Sequence, residues 1–138
     1  MAKTLSFRIE PDFKGVDRVR LALQKLCNEI YRGPEAESRT GELCLAATEA
    51  MNNAVEHSGA DQVEIEICAD EAAVLFRITT GGGKFDPTVD VSMPALDEDD
   101  ELPEGGFGLA IIKAMVDNVR YEHVEGKNIM TLDKRIIG

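Results

Sequence analysis

The stretch from Glu42 to Gly59, ELCLAATEAMNNAVEHSG, predicts one long helix with two chemically different faces. Apolar residues recur at steps of three and four, the period of a helix with one buried stripe; they are Leu43, Ala47, Ala50, Met51 and Ala54. A second row contains Glu49, Asn53 and His57, which project to nearly one side of the helix. A carboxylate accepts protons and an amide oxygen suits Mg²⁺, so this row is typical of a phosphate site. A solvated polar face is the alternative explanation.

The composition is that of a single globular domain, predicted over residues 1–138. Hydrophobic residues make up 43% and charged residues 30% of the chain, which argues against disorder. The formal net charge of −11, without a local cluster of Lys or Arg, argues against binding to nucleic acid. A basic or polar protein partner fits this charge better.

The sequence also predicts the compartment. No stretch approaches the roughly 20 consecutive apolar residues of a membrane span, and the start MAKTLSFRIE lacks an export signal. Three cysteines, Cys27, Cys44 and Cys68, lie on apolar segments without metal-ligand spacing. We therefore expect a cytoplasmic protein with reduced core thiols and no contact with a membrane.

The hydrophobic periods along the chain predict the order of its elements. Alternation of period two predicts strands at residues 5–9, 63–67, 74–78, 119–123 and 129–136, and helical spacing predicts further helices from Val16 and Leu109. Thr40 is the predicted cap of the central helix, and residues 125–128 form the predicted last turn. This order predicts an α+β fold, a two-layer α/β sandwich with a mixed, mostly antiparallel sheet and helices on one face.

Two glycine-rich segments flank a long acidic loop. Gly81-Gly82-Gly83-Lys84 follows a strand directly, and Gly105-Gly106-Phe107-Gly108 precedes a helix, whose first N–H groups and dipole suit an anion. Residues 88–104 between them show no period, and loops of this length are often lids or binding segments. For each glycine-rich segment, a plain turn or loop is the alternative explanation.

Taken in this order, the segments resemble the ATP-binding fold shared by DNA gyrase, histidine kinases and MutL-type repair proteins. Within that group the chain is most similar to the anti-sigma-factor serine/threonine kinases of partner-switching systems. EAMNNAVEH at residues 49–57 looks like their N box, and EGGFGL at residues 104–109 looks like their second glycine box. The resemblance covers about residues 5 to 135 and implies a histidine-kinase-like ATPase fold, with ATP and Mg²⁺ as cofactors and residues 88–104 as an ATP lid.

The resemblance also implies roles for the matching residues. Glu49 would be the catalytic base, Asn53 would hold Mg²⁺ and contact the nucleotide, and His57 would support the nucleotide site. The second glycine box would place further residues against the nucleotide, namely Gly105, Gly106, Gly108 and Leu109.

The first glycine box departs from the family pattern Asp-x-Gly-x-Gly. With the preceding strand kept in phase, Thr80 falls at the Asp that receives the adenine amino group, Gly82 at the first Gly and Lys84 at the second. These three residues complete the implied nucleotide site. Thr80 can accept a hydrogen bond but carries no charge. The second glycine box contains no Arg to meet a γ-phosphate, a role that Lys84 or Lys113 could take.

The resemblance implies an ATP-dependent serine/threonine protein kinase and anti-sigma regulatory factor. Its partners would be a small anti-anti-sigma protein as substrate and a sigma factor as a sequestered target, and it would form a homodimer. One alternative is a catalytically inactive relative that acts as a partner-binding regulatory module with weak or no nucleotide binding. Another is a metabolic enzyme or structural domain that matches the motifs by accident.

Overall fold

The helices and strands follow the order predicted from the sequence. The computed structural model describes residues 3–57, 62–81 and 108–136. Within these ranges the chain forms β1 (Lys3–Ile9), α1 (Phe13–Ile30), α2 (Ala36–His57), β2 (Val63–Ala69), β3 (Ala73–Gly81), α3 (Gly108–Met115), β4 (Asn118–Val124) and β5 (Lys127–Arg135). The predicted lid at residues 88–104 lies outside the described ranges.

The five strands form one sheet in the order β1-β2-β3-β5-β4, and each neighbouring pair is antiparallel. The β2–β3 hairpin turns at Asp70, whose Oδ1 accepts hydrogen bonds from the backbone N–H groups of Ala72 at 2.7 Å and Ala73 at 2.9 Å. Hydrogen bonds from Ala73 and then Ala72 lower the pKa of the Asp70 carboxyl. The predicted α+β sandwich with a mostly antiparallel sheet is confirmed.

The core lies between the helices and one face of the sheet. Helix α2 is central because it packs against both α1 and α3 and also against β3 and β5. The largest fully buried side chains include Leu23 of α1, Leu43 and Met51 of α2, Ile65 and Ile67 of β2, Phe76 of β3, Ile112 of α3 and Leu132 of β5. Burial of each such side chain stabilises the fold by about 1.5–3 kcal/mol. In the described ranges, no helix is both long and apolar enough to cross a bilayer.

Helix α1 begins earlier than its hydrophobic stripe. Asp12 caps the helix, since its Oδ1 accepts a hydrogen bond from Gly15 N at 2.8 Å. Phe13 is 55% exposed and therefore lies outside the apolar stripe that marked Val16 as the start. The cap, rather than the stripe, sets the first residue of the helix.

Helix α2 begins at Ala36, so the prediction that Thr40 caps it is wrong. Thr40 lies within the helix, one turn beyond its start, and is only 6% exposed. Pro34 lies just before the first turn, a position that suits its fixed φ, and Ala36 N donates to Gly33 O at 3.2 Å. Glu42 consequently lies beyond the first turn, where it binds Lys134 Nζ of β5 at 2.7 Å.

The β4–β5 hairpin has a shorter turn than predicted. Its two turn residues are Glu125, with φ 51°, and Gly126, with φ 76°, a pair of positive angles typical of a type I′ turn. Lys127 and Asn128, predicted as turn residues, instead begin β5. Asn128 lies opposite Thr80 of β3, and its side chain points to the helix-covered face with Met130 and Leu132.

The three cysteines are free, but they do not share one environment. Cys27 lies in the core as predicted. Cys44 is half-buried at the edge of the α1–α2 contact, and Cys68 is half-buried on the sheet face away from the helices, since it alternates with the buried Ile67 and Ala69. The prediction of core thiols is therefore right for Cys27 and wrong for Cys68.

Candidate functional site

Helix α2 carries the predicted polar row across the sheet. Glu49 and Asn53 are both half-buried and lie one helical turn apart. Ala50 and Ala54, on the adjacent stripe, are buried against the sheet. His57 is the last residue of α2, and its side chain lies outside the described part of the structure.

Asn53 and Thr80 meet at one small cavity between α2, β3, β4 and β5. Its lining consists of Ala50, Asn53, Ala54, Ile78, Thr80, Tyr121, Asn128 and Met130. Apolar walls with a few convergent polar groups are typical of ligand pockets. The cavity measures about 20 Å³, which is room for a single water molecule. A nucleobase would therefore enter only if lining side chains moved, and the flexible Met130 is well suited to do so.

Thr80 faces this cavity because β3 keeps its alternation to the end. Val74, Phe76, Ile78 and Thr80 are all buried, with Thr80 4% exposed, so the strand phase used to place the first glycine box is confirmed. Thr80 lies between Val63 of β2 and Asn128 of β5 in the sheet. Its role towards adenine stays a prediction.

Asn128 is a lining residue that the sequence analysis missed. Tyr121 OH donates to Asn128 Oδ1 at 2.6 Å, and His123 Nδ1 lies 2.9 Å from the same oxygen. Because an amide oxygen has two lone pairs, these two β4 side chains fix the orientation of the Asn128 amide. His123 is an exposed strand residue, in line with its predicted place on a strand. If a two-residue turn at Glu125 and Gly126 had been recognised in the sequence, Asn128 would have been predicted to lie in the strand with its side chain facing inward.

The side chains near this cavity suit Mg²⁺ only when a bound ligand also supplies phosphate oxygens. Within residues 3–57, 62–81 and 108–136, no three His, Cys, Asp or Glu side chains cluster closely enough to hold a metal ion. Mg²⁺ commonly keeps several waters and takes only one or two protein ligands beside the phosphates of a substrate. The single amide of Asn53 fits that mode. Glu49 is outside the lining of the small cavity, on the turn of α2 before Asn53.

The other predicted nucleotide-binding residues are described in part or not at all. Gly108 is the first residue of α3, which packs against α2, and Leu109 follows it. Outside the described ranges lie Gly82, Lys84, Gly105 and Gly106. Their predicted roles are neither supported nor contradicted by the geometry of the small cavity.

Comparison with known proteins assigns this fold to a family. The family described as "Histidine kinase-like ATPase domain" matches residues 9–134. The chain belongs to this family. The resemblance drawn from the N box and the second glycine box is thereby confirmed.

This histidine kinase-like ATPase domain is similar to several curated protein kinases. It is 29% identical over 94 residues to "Serine/threonine-protein kinase BtrW" of Bordetella bronchiseptica, a match that covers 65% of this chain and 66% of that protein. It is 28% identical over 98 residues to "Serine-protein kinase RsbW" of Bacillus mycoides, covering 62% and 58% respectively. The RsbW protein of Oceanobacillus iheyensis is 32% identical over 129 residues, covering 88% of this chain and 78% of that protein. The chain thus spans just under two thirds of BtrW and less of the Bacillus protein.

A solved structure shares the fold of this domain. It is the crystal structure of the RsbU and RsbW domains of Rv1364c from Mycobacterium tuberculosis, with a TM-score of 0.64 and 22% sequence identity. The match covers 96% of this chain and 32% of that chain. At this identity the likeness supports the fold alone, and it agrees with the predicted histidine-kinase-like architecture.

Proposed function

We propose that this histidine kinase-like ATPase domain is an ATP-dependent serine/threonine protein kinase and an anti-sigma regulatory factor. One observation carries the proposal: Asn53 of the N box and Thr80 of the first glycine box are far apart in sequence but line the same cavity. The names of the related proteins, which are serine or serine/threonine kinases, support the reaction type.

In this proposal the C-terminal half of α2 positions the reactants. Glu49 accepts the proton of the incoming serine or threonine hydroxyl, a contribution typically worth about 10²–10⁴ in rate. The amide oxygen of Asn53 is a ligand for Mg²⁺, which offsets phosphate charge in an acidic protein. When bound, MgATP supplies the phosphoryl group. Thr80 and Asn128 present polar groups to the adenine from the floor of the site.

The remaining nucleotide contacts follow from the family resemblance. His57 closes the α2 side of the site, and residues 88–104 form the lid. The backbone of the glycine boxes approaches the phosphates at Gly82, Gly105, Gly106 and Gly108, with Leu109 at the start of α3 and Lys84 as a source of positive charge.

The proposed partners are proteins. The substrate is a small anti-anti-sigma protein, and a sigma factor is the sequestered target; both follow from the resemblance to partner-switching kinases. The net charge of −11 fits a basic or polar protein surface better than a nucleic acid. The same resemblance implies a cytoplasmic homodimer, which sedimentation of the purified chain tests.

A second candidate function is a partner-binding module that binds nucleotide weakly or not at all. Two observations favour it: a hydroxyl at Thr80 replaces the carboxylate of the family pattern, and the cavity holds about 20 Å³. Saturable binding of MgATP without transfer to any candidate partner, or no binding of MgATP, would select this function over the first.

The decisive experiment follows transfer of the γ-phosphoryl group from labelled ATP to candidate anti-anti-sigma proteins. Glu49→Gln keeps the shape of the side chain and removes its basicity, so we expect transfer to fall by roughly a hundredfold or more with ATP affinity unchanged. Glu37→Gln removes the same charge from an exposed position in the first turn of α2 and serves as the control. Unchanged transfer in a folded Glu49→Gln variant removes Glu49 from the role of base.

A further inference from the structure

Lys134 is a nearly buried cation close to the end of β5, and the proposed kinase function does not use it. Its side chain is 10% exposed, and its Nζ lies 2.7 Å from Glu42 Oε2 of α2. The same Nζ donates to Met115 O of α3 at 2.7 Å. A buried charge is costly unless it is paired and hydrogen-bonded, and these two contacts meet that need. One side chain of the sheet therefore binds both helices that carry the proposed site.

The contact with α3 is made at the carboxyl end of that helix. Met115 is the last residue of α3, and the last carbonyl groups of a helix lack partners within the helix. Lys134 Nζ supplies a donor for Met115 O. Its positive charge also lies at the negative end of the helix dipole, where a cation is favourable. Both effects stabilise the position of this end of α3.

Asp117 attaches the chain just beyond α3 to the same part of β5. Asp117 N donates to Asp133 O at 2.8 Å, and Arg135 N donates to Asp117 Oδ2 at 2.7 Å. These two hydrogen bonds flank Lys134 in the sequence. The contact from Lys134 reaches the helix itself, whereas Asp117 lies between α3 and β4. Lys134 is therefore the residue of this group that can set the position of α3 directly.

The opposite end of α3 is where the proposed function places the phosphates. The helix begins at Gly108 of the second glycine box, and the first N–H groups of a helix favour an anion. A helix of eight residues is about 12 Å long, and its internal hydrogen bonds make it a rigid element. A shift of the end at Met115 therefore also moves the N–H groups at Gly108 relative to α2.

We propose that Lys134 is a positioning residue for the phosphates of the nucleotide. By joining Met115 O of α3 to Glu42 of α2, it fixes where the N–H groups at Gly108 lie relative to Asn53. Lys134 acts through α3, since it binds the end of that helix opposite to Gly108. This inference rests on the proposed nucleotide-binding function and adds to it a residue that the N box and the glycine boxes do not contain.

The test compares Lys134→Met with the matched variant Arg39→Met. Methionine keeps a long side chain and removes the charge and the donors of Lys134. Arg39 is also poorly exposed, at 18%, and it joins α2 to β5, because its Nη1 donates to Arg135 O at 2.8 Å. Its ion pair is with Glu35 Oε2 at 3.3 Å, just before α2. Each variant removes one positive charge, so a difference between them does not come from general repulsion of ATP.

Calorimetric titration with MgATP and with adenosine gives the first result. We expect Lys134→Met to weaken MgATP binding by roughly tenfold, as when one charge-assisted hydrogen bond to a phosphate loses its alignment. Adenosine has no phosphate, so its affinity should change by less than about twofold. Arg39→Met should bind both ligands as the wild type does. A purely structural role for Lys134 would lower the melting temperature without changing the ratio of the two affinities.

Hydrogen exchange gives a second result that does not use nucleotide. Val116 N donates to Ile112 O at 3.2 Å at the carboxyl end of α3. We expect exchange of this amide to become faster in Lys134→Met and to stay at the wild-type rate in Arg39→Met. Unchanged exchange in Lys134→Met would mean that Lys134 does not hold this end of α3, and the inference would be wrong.

Glu42→Ala tests the same bridge from its α2 side, at a position that is 38% exposed, and it serves if Lys134→Met does not fold. Its control is Glu37→Ala, which removes the same charge from the first turn of α2. Relative to that control, we expect Glu42→Ala to weaken MgATP binding by roughly threefold and to leave adenosine binding unchanged.

The outcomes separate this inference from the proposed function. A wild-type chain that does not bind MgATP refutes the proposed function, and the inference is refuted with it. A wild-type chain that binds MgATP, with equal binding by a folded Lys134→Met or Glu42→Ala variant, refutes the inference alone. Equal weakening of MgATP and adenosine binding also refutes it, because the effect would then not concern the phosphates.

Discussion

Thr80 determines the polarity of the adenine end of the proposed site. A carboxylate there would make a charge-assisted hydrogen bond to the adenine amino group, and such bonds contribute about 1.5–3 kcal/mol. We therefore expect Thr80→Asp to tighten ATP binding by roughly ten- to a hundredfold. The affinity for GTP should not increase, because the guanine ring presents a hydrogen-bond acceptor at that position. Calorimetric titration with both nucleotides measures the difference.

The control for this substitution is Thr79→Asp. Thr79 is the neighbouring residue on β3 and belongs to the opposite face of the sheet, so a charge there should leave ATP affinity unchanged. Thr80 is 4% exposed, and an unpaired carboxylate in the empty cavity costs stability, so melting curves must accompany the titrations. Equal affinities for ATP in Thr80→Asp and wild type would mean that the first glycine box is placed wrongly.

Asn53 is the proposed Mg²⁺ ligand, and Asn52 beside it provides a matched comparison. Asn53→Ala should weaken ATP binding in the presence of Mg²⁺ by roughly tenfold and have little effect without the metal. Asn52→Ala should keep the full effect of Mg²⁺. Within the described part of the structure, the buried Asn52 Oδ1 has no hydrogen-bond partner, so its removal should not destabilise the fold. An equal loss for Asn53→Ala in both conditions would indicate damaged packing instead of a lost ligand.

For single residues, the sequence predicted the direction in which a side chain faces better than it predicted the side chains that lie beside it. Asn53 and Thr80 could be placed because helical and strand periods fix which way a residue faces. Asn128 could not, since its placement depended on the length of one turn, and a turn of four residues removed it from the strand. That Tyr121 and His123 hold the Asn128 amide is a matter of register between β4 and β5, which depends on the same turn.

Two glycines in helices test how closely the elements pack. Gly15 lies in α1, where an added Cβ would lie 2.8 Å from Ile9 Cβ of β1, an atom that no rotamer change can move. Gly41 lies in α2, where an added Cβ would meet nothing within 4 Å. Alanine favours a helix over glycine by about 0.5–1 kcal/mol. Gly41→Ala should therefore stabilise the chain by about that amount.

Gly15→Ala should have the opposite sign, because overpacking costs about 1–3 kcal/mol and exceeds the helix gain. Urea unfolding of the two variants beside the wild type measures both effects. If Gly15→Ala raised the free energy of unfolding as much as Gly41→Ala, the close contact between α1 and β1 would be refuted.

The same contacts explain which element boundaries the sequence predicted. The strands and the body of each helix follow from hydrophobic period alone. The starts of α1 and α2 do not, since Asp12 caps one helix ahead of its stripe and Thr40, a good capping residue, is buried within the other. A residue such as Asp or Thr is able to cap a helix, but tertiary packing decides whether its side chain makes the capping hydrogen bond.

For the whole molecule, α2 is the element that joins core and site. Its apolar stripe packs against α1, α3 and the sheet, and its polar row carries Glu49 and Asn53. A Lys134–Glu42 ion pair of 2.7 Å fixes its first half to β5, and Lys134 Nζ also donates to Met115 O of α3. The proposed site therefore lies on the helix around which the core packs. Because substitutions of Glu49 or Asn53 can also disturb this packing, the stability of each variant has to be measured beside its function.

The net charge of the chain predicts that its affinity for nucleotides rises as the salt concentration rises. A chain of formal charge −11 repels free ATP, and salt screens that repulsion over about 10 Å at 0.1 M. We expect the affinity for metal-free ATP to rise by roughly two- to fivefold as potassium chloride increases from about 0.02 to 0.2 M. The affinity for MgATP should rise less because MgATP carries less charge, and the affinity for adenosine should not change. Titration of all three ligands at each salt concentration measures the slopes. Affinity for ATP that falls with salt would mean that a local cation, such as Lys84, outweighs the charge of the whole chain at the phosphates.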